Sequence, residues 1–126
     1  MILYSSEYDP AYEPPAPILE LTIRKTGRSA AEVTILALID SGADATMIPI
    51  TELQTIEARY VETRQMRGVT GMAYPVDLYL ITVQIGPHAI PAVRAIAAAP
   101  DGEIIVGRDV LNQLVLTLNG PAGRAV

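Results

Sequence analysis

Val33-Thr34-Ile35-Leu36-Ala37-Leu38-Ile39 runs without a charge and stops abruptly at Asp40-Ser41-Gly42-Ala43-Asp44. Four of those first seven residues are β-branched, which favours a pleated strand over a helix. A run this apolar predicts a strand buried on both faces. Asp40 then emerges at an apolar mouth among small residues, and small residues let a second backbone approach closely. Taken alone the pentapeptide also reads as a strand-ending turn, because Asp, Ser and Gly are common turn formers.

Working outward, Ile18 to Arg24 is a second apolar run, and a turn at Lys25–Arg28 joins it to Ala30–Ile39. The two predict a hairpin. Downstream, Thr46 to Ile50 reads as a short strand and Thr51 to Ala58 as about two helical turns with Thr51 as N-cap. Tyr60–Arg67 and Met72–Ile85 are extended, with Gly68-Val69-Thr70-Gly71 between them, which predicts a long hairpin with a glycine-bounded tip. Ala89–Ala97 reads as a strand, Pro100-Asp101-Gly102 as a turn and Glu103–Val106 as a short strand. Gly107–Gln113 then gives a helical turn or two, and Leu114–Leu118 a last strand. Residues 1–17 carry Pro10, Pro14, Pro15 and Pro17 beside Tyr4, Tyr8 and Tyr12, so they predict an extended arm rather than a helix.

Composition agrees with an all-β domain. The chain has 126 residues, half of them apolar, with no Phe, Trp or Cys. Ten prolines and nine glycines punctuate any long helix. A net charge of −5 argues against a nucleic-acid partner, which calls for a basic stripe. Arg24, Lys25 and Arg28 are the densest basic cluster and read as a solvated hairpin tip. Without cysteine there is no disulfide framework, thiolate metal site or thiol nucleophile. No segment reaches the roughly 18 apolar residues of a membrane span, and the N-terminal stretch lacks the basic start of a signal peptide. The expectation is a soluble, cytoplasmic chain with no membrane partner, no metal and no organic cofactor.

A second motif gives the first its meaning. Ile104-Ile105-Val106-Gly107-Arg108-Asp109-Val110-Leu111 is a buried strand, a glycine pivot and an amphipathic turn bearing one arginine. Leu38-Ile39-Asp40-Ser41-Gly42-Ala43-Asp44 and Ile105-Val106-Gly107-Arg108, in this order and about 65 residues apart, together resemble the retropepsin-like aspartic peptidases. The likeness runs from about Ile18 to Asn119 and is greatest to the small stand-alone bacterial members, whose C-terminal part resembles Gly107-Arg108-Asp109-Val110-Leu111-Asn112. Residues 1–17 form an arm outside it, with 18–126 as the peptidase domain.

The resemblance implies a closed, mostly antiparallel barrel of the acid-protease type, a single lobe with one or two short helices. Hydrolysis of this kind needs two carboxylates that share one proton, one as base on a water and the other as acid, because like charges that close cannot both ionise. Of the six aspartates, only Asp40 stands in an Asp-Ser-Gly setting. One motif therefore implies a two-fold homodimer, with Asp40 from each chain facing the other. Activity would fall as both carboxylates ionise, giving a mildly acidic optimum.

The same resemblance assigns the neighbours. Ser41 stands where Thr is commoner, in the lattice that locks two active-site loops together. Gly42 offers its carbonyl to a peptide substrate, and Ala43 continues the loop. Asp44 pairs with Arg108 and fixes the loop to the late helix. Leu38, Met47 and Ile105 line apolar pockets. Val69, Thr70 and Gly71, with Gly68 and Met72, form a flap over the substrate. The rival expectation from a different class is a non-catalytic dimerisation or peptide-binding module that keeps the Asp-Ser-Gly turn as structure. A third is a peptidase confined to its own precursor, with the proline-rich arm as the processed segment. His88 reads as a surface residue, and Glu52, Glu57 and Glu62 as solvated faces.

Overall fold

The computed structural model describes residues 4–27 and 31–126. Among these residues twelve elements follow one another, and two of them are helical. Strand β1 is Ser6–Glu7, β2 is Ile18–Lys25, β3 is Glu32–Ile39 and β4 is Met47–Pro49. Helix α1 (Ile50–Thr55) precedes the long strands β5 (Arg59–Arg67), β6 (Ala73–Ile85) and β7 (His88–Ala98). Strand β8 (Ile105–Val106), helix α2 (Arg108–Leu111), β9 (Leu118–Asn119) and β10 (Arg124–Ala125) complete the chain. The expected hairpin of residues 18–39 forms, with Ile18 opposite Leu38 and Arg24 opposite Glu32. Its turn, with Arg28, and Ala30 at the start of the second run lie outside the described residues.

Seven strands form one sheet in the order β2-β3-β8-β4-β7-β6-β5. Strand β2 also pairs with β6, from Thr22↔Gln84 to Lys25↔Ile81, so the pairings return on themselves as in a barrel. All are antiparallel except β3–β8 and β4–β7. The inward side chains Leu21, Ile23, Ile48, Ile81, Val83 and Val106 are fully buried, with Leu53 and Ile56 packed in from α1 and its end. Burial of this kind, roughly 1.5–3 kcal/mol for each large aliphatic side chain, is what a core without Phe or Trp has to rely on. Among the described residues no helix is long and apolar enough to cross a membrane.

The fold creates two features that bear on the site. One is a ribbon. Strand β6 is paired on both edges from Leu78 onward, but β7 reaches only as far as the Leu78↔Ile96 pair. Beyond it, Thr63–Arg67 and Ala73–Asp77 continue as two strands paired only with each other. A two-stranded ribbon is marginally stable alone, so this hairpin is held less firmly than the strands paired on both edges. The other feature is β8, whose Ile105 pairs with Leu38 on one side and with Met47 on the other.

Three local expectations need correction. Strand β3 is not buried on both faces: Ala37 and Ile39 are buried, but Leu36 is 57% exposed, because one face of the strand looks outward. Helix α1 begins at Ile50, with Pro49 as its N-cap residue and no side-chain cap. Proline has a φ suited to a helix start, and Thr51 instead offers its carbonyl to the Thr55 hydroxyl. Of Leu114–Leu118 only Leu118 lies in a strand, and Val115 is almost fully exposed. Part of the segment's pairing goes to the C-terminal residue, with Thr117 and Val126 exchanging two backbone hydrogen bonds. The described part of the N-terminal arm is tied to its own chain. Ser6 and Glu7 pair with Ala125 and Arg124, and Tyr4 and Tyr8 pack against the core.

Candidate active site

Asp40 lies where β3 leaves the sheet, at the first residue past the strand end. Its backbone N–H donates to the Val106 carbonyl at 3.0 Å, and its carbonyl accepts from Ala43 N–H at 3.2 Å. Its carboxylate turns back over the loop and accepts the Gly42 N–H at 2.9 Å. A Cβ on Gly42 would meet that same carboxylate oxygen at 3.2 Å, so a glycine here leaves the acid room. Asp40 is half-buried, while Ser41 and Gly42 are exposed. The loop therefore presents one carboxylate, held by backbone, at an open face.

Two anchors fix the loop from behind. Arg108 on α2 donates to the Ser41 carbonyl at 3.0 Å and forms an ion pair with Asp44. Both partners of that pair are well exposed, so it guides the loop more than it stabilises the fold. The stronger anchor was not legible in the sequence. Thr46 is fully buried, and it donates through its backbone N–H and its hydroxyl to the two carboxylate oxygens of Asp109, at 3.0 and 2.8 Å. Asp109 also accepts the Val110 N–H at 2.9 Å, and the Thr46 hydroxyl accepts the Gly107 N–H at 3.2 Å. Hydrogen bonds to a charged group contribute about 1.5–3 kcal/mol each, so this cluster outweighs the exposed ion pair. The one sequence signal for it is Asp109 in the first turn of a helix next to Arg108.

Gly107 sits between the anchors. An added Cβ would lie 2.7 Å from the Ala45 carbonyl group and 3.0 Å from the Ala43 oxygen. The backbone of β8 thus runs directly against the loop, and Arg108 N–H donates to the Ala43 carbonyl at 2.9 Å.

The structure brings Leu38, Met47 and Ile105 side by side through their pairings, all three half-buried beside the Asp40 loop. Val69, Thr70 and Gly71 are exposed at the ribbon tip. The tip is closed by Gly71 N–H on the Gly68 carbonyl at 3.0 Å, with Gly71 at φ +82°, a conformation that favours glycine. Glu62 is not a simply solvated acid, since it binds both Arg64 and Arg94. His88 is half-buried and lines a separate, mainly apolar cavity with Tyr4, Leu19, Ile85 and Leu114.

The family model described as retroviral aspartyl protease matches residues 13–119, which includes the Asp40 loop, the ribbon and the Gly107–Arg108 junction. The chain belongs to the retroviral aspartyl protease family. As a family member it shares the fold of EIAV protease, solved in complex with an inhibitor, at 20% identity and a TM-score of 0.62, over 82% of this chain and 93% of that one. It also shares the fold of a retropepsin-like aspartic protease from Rickettsia conorii, at 13% identity and a TM-score of 0.52, over 87% of this chain and 92% of that one. No curated protein matches the sequence. The expectation of an all-β acid-protease fold from two short motifs is correct.

Proposed function

We propose that this chain is one half of an aspartic endopeptidase, completed when two copies bring their Asp40 carboxylates together on a two-fold axis. The observation that carries the reading is the loop itself. It holds a single carboxylate, fixed by the Gly42 N–H, on a face where Ser41 and Gly42 remain exposed. A hydrolytic dyad needs a second carboxylate within proton-sharing distance, and this chain has one Asp-Ser-Gly.

In this reading one Asp40 accepts a proton from water as the water oxygen bonds to the scissile carbonyl carbon. The other Asp40 gives its proton to the carbonyl oxygen. The tetrahedral diol then collapses: the C–N bond breaks as the nitrogen takes the proton from the first Asp40, one diol hydroxyl returns its proton to the second Asp40, and the carboxyl and amine products leave with the dyad again singly protonated. Gly42 and the ribbon hold the peptide as an extended strand, with Val69, Thr70 and Gly71 closing over it. Leu38, Met47 and Ile105 receive apolar side chains. Ser41 steadies the paired loops, and Asp44 with Arg108 and the Thr46–Asp109 cluster hold each loop to its α2. A cytoplasmic location belongs to the same reading.

The test is a diverse peptide mixture incubated with the protein from about pH 4 to 7 and read by mass spectrometry. Internal cuts that decline toward the upper end are expected, because the dyad works only while one of its two carboxyls is protonated. No cut at any pH, from protein seen to be dimeric, would leave the peptide-binding module in possession of the fold.

A further inference from the structure

Beyond Asp44 the loop, the ribbon, β7 and the α2 segment line an open cavity of about 480 Å³. Its apolar wall follows from register. Glu62, Arg64 and Met66 alternate along β5, opposite Leu78, Val76 and Tyr74 of β6, so they share one face. Leu78 in turn stands opposite Ile96 of β7. Met66, Val76, Leu78 and Ile96 form the wall, while Asp44 and Ala45 connect it to the active-site loop.

The rim is cationic. Arg64 reaches the cavity from the ribbon and Arg94 from β7, next to the wall residue Val93. Both bind one carboxylate, Glu62 Oε1, at 2.5 and 3.3 Å. Two guanidiniums with five donors each are thus held close together by a single acid, leaving most of their donors and one net positive charge. The other acids of the cavity are already engaged. Asp44 is paired with Arg108, and Asp109 accepts three hydrogen bonds from Thr46 and Val110. All six charged groups together sum to zero, but the uncommitted donors lie on the rim. On a chain of net charge −5 a charge-balanced patch with guanidinium donors to spare at its rim can discriminate among side chains.

We propose that this cavity is an outer substrate subsite that takes an acidic side chain, its methylenes on Met66 and Leu78 and its carboxylate between Arg64 and Arg94. The inference rests on the peptidase reading for the path of the peptide, and adds the substrate class: sequences with Asp or Glu some residues away from an apolar cleaved bond. Arg is the side chain suited to forked carboxylate recognition, and a ribbon that moves would bring Arg64 onto the substrate as it closes.

The test uses labelled apolar decapeptides carrying one Glu at successive positions, each beside its Gln counterpart. Binding to wild type is read by fluorescence anisotropy, and cleavage in the same tubes by mass spectrometry. One position is expected at which Glu binds about fivefold tighter than Gln, with the preference shrinking as salt rises. The Arg64→Ala/Arg94→Ala double variant should lose that preference while binding the Gln peptides as before, and the double Lys variant should keep part of it. A preference that survives the Ala variant, or none at any position, including no binding at all, would overturn the subsite. Cleavage without Glu preference would leave the peptidase standing, and Glu preference without cleavage would leave only the subsite.

Discussion

Asp40→Asn is expected to lower peptide cleavage about a thousandfold or more, the scale on which positioned acids and bases act. The fold should not change. Asn has the shape of Asp and keeps an oxygen to accept the Gly42 N–H, which now lies at 2.9 Å. Asp40 is half-buried at the loop surface, so the loss of charge disturbs no packed neighbour. On the proposed mechanism, what disappears is the capacity to take a proton from water or to hold one for the carbonyl oxygen. Initial rates on a single peptide, beside a thermal melt moved by no more than about 2 °C, would separate chemistry from stability. A variant that cut as fast as wild type would remove Asp40 from the mechanism.

Gly107→Ala carries the second large effect, on stability. The backbone of Gly107 is extended, with φ −100° and ψ −173°, so conformation does not require glycine here. Space does. The added methyl would meet the Ala45 carbonyl group at 2.7 Å and the Ala43 oxygen at 3.0 Å. Both are backbone, and neither can swing aside as a flexible side chain would. Overpacking of this sort costs about 3 kcal/mol, and the thermal midpoint should fall by roughly 10 °C. The displacement would also push the loop away from Arg108 and loosen the Thr46–Asp109 cluster. Cleavage by the folded fraction should therefore drop too, a result that a purely local clash would not give.

Much of this architecture was legible in the sequence where the signal is local. Ile18 to Arg24 and the run ending at Ile39 are apolar and β-branched, and they pair as one hairpin. Gly68 and Gly71 bound the ribbon tip, and the tight reversal there puts Gly71 at a positive φ that favours glycine. The Asp40 and Gly107–Arg108 motifs pointed to the family through their order and separation. What failed depends on tertiary surroundings. Leu36 looks like a core residue by type, yet it faces outward on β3. Leu114–Thr117 has strand composition but only a C-terminal residue to pair with. The Thr46–Asp109 cluster joins residues 63 apart, and no spacing rule marks a threonine as the partner of a distant acid. Arg64 and Arg94 likewise read as separate surface charges until the register of β5, β6 and β7 sets them around Glu62.

A mixing experiment tests the shared site most directly. Wild-type protein is held at fixed concentration, Asp40→Asn chain is added to about nine parts in ten, and the pair is left to exchange partners. Random pairing then leaves about one wild-type chain in ten with a wild-type partner, so the cleavage rate should fall about tenfold. A rate unchanged by the excess, with exchange verified by a mass-tagged chain, would mean that each chain carries a complete site of its own and would contradict the account.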